Sequence, residues 1–277
     1  MKKSLLIAAL LIVFAGILSA CGSSSSEGDK DSKVIVIGAT PTPHAEILEE
    51  AKPLLKEKGY DLQIKKFTDY KLINKALASK DLDANYFQHV PYLEQEMKEN
   101  KDYDLVNVGA VHLEPFGIYS KKYKSLKDLP DGATIIMSNN AAEQGRMLSM
   151  LEKAGLIKLK SGVKKIDATV KDITENKKNL KIKNNVAPEM TAKAYETNEA
   201  DAVFINVNYA IQNKLNPKTD SIMLESPKDN PYANIIAVRK GDEDSAKIKA
   251  LMDVLHSDKI KDFIDKKYEG SVLSVSE

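Results

Sequence analysis

Apolar and polar positions switch between two periods along most of this chain. "KVIVIGA" (Lys33–Ala39) is a continuous β-branched run ending in glycine, the pattern of a strand buried on both faces. In "HAEILEEAKPLLKEKG", Ile47, Leu48, Leu54 and Leu55 lie near helical spacing and Gly59 stops the helix. Pro43 suits its first turn, and Pro53 predicts a kink. "YDLQIKKF" alternates as a strand, "KLINKALASKD" reads as helix and "LDANYF" as a brief strand. "PYLEQEMKEN" is a helix opened by proline, and "YDLVNVGAVHL" is another strand. After Pro115 a second series begins with strands "FGIYS" and "TIIMS" and the helix "NNAAEQGRMLSMLEKAG". Strand "LKIK", helix "EMTAKAYETNE", strand "DAVFIN" and a short helix "NYAIQNK" come next. Strands "SIMLE" and "YANIIAVR" and the helices "EDSAKIKALMDVLHS" and "DKIKDFIDKKY" close the chain. This alternation predicts an α/β architecture with largely parallel sheets. The strand count suits two lobes, with crossings near Pro115 and near Pro227–Pro231.

The N-terminus departs from that pattern. Lys2 and Lys3 precede an apolar run from Leu5 to Leu18, too short and wrongly flanked for a membrane span, so residues 1–20 read as a secretory signal. The run ends in "LSAC", which resembles the bacterial lipobox; Cys21 would then carry the lipid and become the mature N-terminus. It is the only cysteine, so neither an internal disulfide nor a thiolate metal site is available. The polar segment that follows has nothing to bury, and residues 21–32 form a flexible lipid-anchored tether, about 20 Å long as a random coil. The expected location is the extracytoplasmic face of a cell membrane.

Charge narrows the function classes. The full chain carries 41 basic and 40 acidic side chains, and losing Lys2 and Lys3 leaves a net charge of about −1. No basic excess or reading motif supports nucleic-acid binding. HExxH, GxSxG, Walker and GxGxxG patterns are all absent, so no enzyme class is indicated. His44 and His112 each precede a glutamate by two residues, but neither pair makes a metal site without further ligands. No metal and no cofactor is expected. Arg146 is one of only two arginines, and on residues alone it reads as a surface ion-pair partner.

The lipobox, "PTPHAEIL", "FTDY", "DANYFQHVPYL", "NNAAEQGR", "AVFIN" and "PYANIIAVR" occur in this order over essentially the whole chain. That series resembles the methionine-binding lipoproteins of ABC importers. The resemblance implies a two-lobed periplasmic-binding-protein-like fold (type II) with the ligand in the interlobe cleft. Residues 33–113 and 232–277 would form lobe 1, and residues 114–231 lobe 2. It also implies a receptor for L-methionine, with D-methionine, a short peptide or a sulfonate as alternatives, that delivers its cargo to a membrane permease and ATPase. A non-transport surface lipoprotein is the reading from a different class.

Within that resemblance, Arg146 would grip the ligand carboxylate through two parallel bonds, helped by the helix N-terminus. Asn139 would cap that helix. Asn206 and Asn234, with Asn208 as the alternative to Asn206, would supply amides to the carboxylate and ammonium. Tyr70, Phe87 and His89 would face the thioether, and alternation in an extended stretch puts Phe87 and His89 on one side. Phe116 would cover the pocket, and Tyr92 would pack beside it.

Overall fold

This computed structural model describes residues 32–275. The expected signal segment, nearly all of the tether, and Cys21 lie outside the described residues.

The strands are β1 (Val34–Ala39), β2 (Asp61–Lys66), β3 (Ala84–His89), β4 (Leu105–Leu113), β5 (Gly117–Tyr119), β6 (Thr134–Ser138), β7 (Ile157–Leu159), β8 (Ile173–Asn176), β9 (Lys181–Val186), β10 (Ala202–Ile205), β11 (Ser221–Leu224), β12 (Ala233–Arg239) and β13 (Leu273–Ser274). The helices are α1 (His44–Glu57), α2 (Tyr70–Ala78), α3 (Val90–Glu99), α4 (Ala141–Lys153), α5 (Thr191–Glu196), α6 (Val207–Gln212), α7 (Pro217–Asp220), α8 (Ala246–Leu255) and α9 (Asp258–Tyr268).

Two mixed sheets organise these elements. The six-stranded sheet runs β13-β4-β12-β3-β1-β2 and the five-stranded sheet runs β11-β5-β10-β6-β9. The chain leaves the first sheet after β4 and re-enters it at β12, so residues 114–116 and 225–232 are the two crossings. Each sheet has the same inner order: a second strand, the first, the third, a strand arriving from the other sheet, then the fourth. The arriving strand is antiparallel in both cases, β12 against β3 and β4, and β5 against β10 and β11. The expectation of largely parallel sheets therefore needs one correction. A strand that enters from the opposite side of the molecule must run against its neighbours, and hydrophobic periodicity carries no strand direction. The short antiparallel pair β7-β8, outside both sheets, is a further element that the sequence pattern did not reveal.

Burial explains the helices. In α1 the buried set His44, Ala45, Ile47, Leu48, Ala51 and Leu55 forms one stripe, and the helix continues through Pro53. That stripe packs on Ile35 and Ile37 of β1 and on Leu251, Ile260 and Ile264 of α8 and α9. A second core gathers Phe116, Ile135, Met137, Met147, Leu151 and Phe204 around β6, β10 and α4. At roughly 1.5–3 kcal/mol per fully buried large side chain, each core is ample to hold its own sheet.

The same topology delivers chemistry to one edge. β3 ends at His89, and Asn234, near the start of the antiparallel β12, pairs with both His89 and His112. Ligands in open α/β sheets sit beyond such carboxyl ends.

Candidate functional site

Between the two sheets lies a cavity with about 400 Å³ not filled by protein atoms. Tyr70, Phe87, His89, Arg146, Asn206 and Asn234 all line it, so six side chains scattered over 165 positions meet in one place. Asn208 and Tyr92 line it too, and so does Phe116 from the first crossing. Asn139 does not. It is exposed, and the residue that caps α4 is Asn140, whose side chain accepts from the Ala142 N–H at 3.1 Å. The two asparagines are adjacent, and sequence alone cannot tell which leaves the extended conformation first.

Phe87 and His89 reach the cavity by a route other than simple alternation. The β3–β12 ladder shifts register between Tyr86 and Gln88, leaving Phe87 as an extra residue. Phe87 then packs against Tyr70 and Tyr92, with ring centroids 5.7 Å from each. His89 caps α3: its Nδ1 accepts from the Tyr92 N–H at 3.2 Å, which leaves the ring proton on Nε2, 3.5 Å from Glu143 Oε1. Behind this wall, Asn74, Asn85 and Gln88 form a closed set of buried amide hydrogen bonds that ties α2 to β3.

Arg146 departs most from expectation. Its planar fork is already occupied, because Nε and Nη2 both donate to the Glu225 carboxylate, at 3.0 and 2.6 Å. Nη2 also donates to the Glu114 carbonyl at 2.8 Å. The guanidinium lies 4.4 Å from the Tyr232 ring centroid and 5.0 Å from that of Phe116. One side chain thus binds both crossings, and only Nη1 remains to face a ligand. The bidentate grip is corrected to a single nitrogen, and Glu225, remote in sequence, holds the rest. Burial pushes the Glu225 carboxyl up, but the charge and hydrogen bonds of Arg146 outweigh it and the net displacement is downward.

Two acidic residues on the cavity escaped sequence reading. Glu143, 2% exposed, stands in the first turn of α4. Asn206 Nδ2 donates to its Oε1 at 2.7 Å and Asn140 Nδ2 to its Oε2 at 3.0 Å. Its spacing from Asn140 matches a capping pattern, so the residue reads as a helix start rather than as pocket chemistry. Glu114 sits at the first crossing. Its Oε1 accepts from His112 Nε2 at 2.8 Å, with His44 Nε2 at 3.4 Å, and its Oε2 accepts from the Asn208 N–H at 3.1 Å. Burial raises the Glu114 carboxyl, while His44, the Asn208 N–H and Arg146 oppose that rise.

His44, His112 and Glu114 form the one cluster of potential metal ligands among the described residues, within 4.8 Å of one another. The hydrogen bonds argue for protons there. Thr40 Oγ1 lies 2.7 Å from His44 Nδ1, and the Tyr86 hydroxyl contacts His112 Nδ1. Hydroxyls donating to both Nδ1 atoms leave Nε2–H groups aimed at Glu114 and, from His44, at Asn234 Oδ1 2.9 Å away. The 2.8 Å His112–Glu114 separation is shorter than the roughly 3.3 Å between two ligands on a tetrahedral zinc. Burial lowers both rings, His44 to about 4 and His112 to about 3, with Glu114 partly opposing at His44.

Two polar atoms in the wall have no partner. Asn206 Oδ1 is a buried acceptor and Asn208 Nδ2 a buried donor. Their orientations follow from what the other amide atoms do: Asn206 Nδ2 faces a carboxylate, and Asn208 Oδ1 accepts from the Tyr70 hydroxyl at 2.6 Å. An unpaired buried polar group costs about 1–3 kcal/mol, and a ligand with one donor and one acceptor relieves both.

Comparison with known proteins was consistent in kind. The family model described as NlpA lipoprotein matches residues 35–276. The chain is 73% identical over 275 residues to the methionine-binding lipoprotein MetQ of Bacillus subtilis (strain 168), covering 99% of this chain and 100% of that one. A crystal structure of a methionine-binding lipoprotein from Bacillus subtilis superposes with a TM-score of 0.87 at 76% identity, covering 88% of this chain and 99% of the other. A nutrient-binding protein from Burkholderia cenocepacia, solved bound to methionine, superposes with a TM-score of 0.82 at 40% identity, covering 87% of this chain and 100% of the other.

Proposed function

The chain belongs to the NlpA lipoprotein family, and on that premise we propose that it is the lipid-anchored receptor of an ABC importer, binding methionine between two lobes. Lobe 1 comprises residues 33–113 and 232–277, and lobe 2 residues 114–231. Cys21 carries the anchor on the extracytoplasmic face, and closure of the lobes over the ligand presents a new surface to the permease and its ATPase.

One observation carries the ligand reading. A buried unpartnered acceptor, Asn206 Oδ1, and a buried unpartnered donor, Asn208 Nδ2, line a cavity that is aromatic at its other side. The α-ammonium meets Asn206 Oδ1 and Glu143. The carboxylate meets Asn208 Nδ2 and Arg146 Nη1, with Asn234 at the same wall. The thioether rests against Phe87, Tyr70 and Tyr92, where a sulfur–aromatic contact contributes about 0.3–1.5 kcal/mol. L-methionine is the preferred ligand, and D-methionine is the competitor that shares every group.

Thermal unfolding across the twenty amino acids, D-methionine and a methylated sulfonate tests this. At a concentration one hundred times Kd, methionine should stabilise the protein by about 2.7 kcal/mol. That corresponds to a rise of roughly 5–11 °C for a chain of this size. A shift with the sulfonate or another amino acid, and none with methionine, would refute the assignment.

A further inference from the structure

Glu143 and Arg146 carry opposite charges on the same helix, yet their surroundings are unequal. Arg146 is satisfied before any ligand arrives. Two of its three nitrogens face Glu225, with contacts of 2.6–3.1 Å, and Nη2 also serves the Glu114 carbonyl. Glu143 is as deeply buried, but no cation stands within hydrogen-bonding distance of it. Arg146 Nη1 is 3.8 Å from its Oε1, and His89, whose Nδ1 accepts a backbone hydrogen, offers an uncharged N–H at 3.5 Å. Its close partners are the neutral amides of Asn140 and Asn206. Glu114 adds a second carboxylate to the lining. The cavity therefore lacks a positive charge, not a negative one. The unpartnered acceptor Asn206 Oδ1 belongs to the side chain that holds Glu143, so the missing cation has a built seat.

We propose that Glu143 is the specificity-determining residue of this receptor: the ligand's α-ammonium is obligatory, and the charge of its carboxylate is secondary. This rests on the methionine reading above. A carboxamide oxygen can still accept from Asn208 Nδ2 and Arg146 Nη1, whereas a hydroxyl in place of the ammonium leaves a dry carboxylate without its counter-ion. An uncompensated buried charge costs about 3–5 kcal/mol, a factor of roughly a hundred to several thousand in affinity.

Isothermal titration of the whole chain with methionine, methioninamide and 2-hydroxy-4-(methylthio)butanoate reads this order directly. Methioninamide should bind within about tenfold of methionine, and the hydroxy acid at least about a hundredfold more weakly. Glu143→Gln should lower methionine affinity and shrink its advantage over the hydroxy acid to under about tenfold, a change of preference that loss of packing would not produce. A hydroxy acid that binds the unaltered protein better than the amide would overturn the proposal, and that comparison does not depend on the variant folding. So would a Glu143→Gln protein that keeps the original preference. No binding of methionine at all would instead remove the functional reading beneath it.

Discussion

Acid should loosen this protein through two buried imidazoles, and His112 decides how steeply. A free imidazole takes up its proton near pH 6.5. In the folded chain burial holds His44 to about 4 and His112 to about 3. The unfolded chain therefore binds these protons first, and stability falls as pH drops from about 6.5 toward the folded values. Below pH 6 each ring removes about 1.4 kcal/mol per pH unit, or about 2 kcal/mol in all between pH 7 and 5. The pair removes about 4 kcal/mol, a large share of the roughly 5–15 kcal/mol that folds a domain. Glu114 works in the opposite sense. Burial raises its carboxyl, so the native state takes that proton first and recovers part of the loss. His112→Gln isolates one ring: an amide can still donate to Glu114 but does not titrate. Ligand-free urea unfolding by circular dichroism at half-unit steps from pH 8 to 5 measures the slopes. The variant should be shallower by about 1.4 kcal/mol per pH unit between pH 6 and 5. Parallel slopes would show that His112 is not a buried neutral ring, and the hydrogen-bond assignment under Asn234 would fall with it.

Two further outcomes follow from packing. A Cβ at Gly145 would strike the backbone carbonyls of Lys165 and Ile166, so Gly145→Ala should cost about 1–3 kcal/mol and lower Tm by several degrees; an unchanged Tm would contradict the close approach of that segment to α4. Phe87→Ala removes the ring at the apolar end of the cavity and should weaken methionine binding by about 1.5–3 kcal/mol in calorimetry; a loss under about threefold would take Phe87 off the ligand.

Much of this protein is legible in its residues. The apolar periods mark nearly every strand and helix, because burying one face of each element is a local demand that the pattern must meet. The motif series identifies the family, and with it Tyr70, Phe87, His89, Arg146, Asn206 and Asn234 as one group. What the pattern leaves open is whatever depends on partners distant in the chain. Strand direction in β5 and β12 is set by where the chain arrives from. The choice of Asn140 over Asn139 is set by local backbone angles at a helix start. Glu143 looks like a capping residue and Glu114 like a turn residue until folding removes water from both. Glu225 lies 79 positions from the guanidinium it occupies. Sequence names the ionisable groups, but their charge balance is a property of distances and burial, and those exist only once the two sheets close around the cavity.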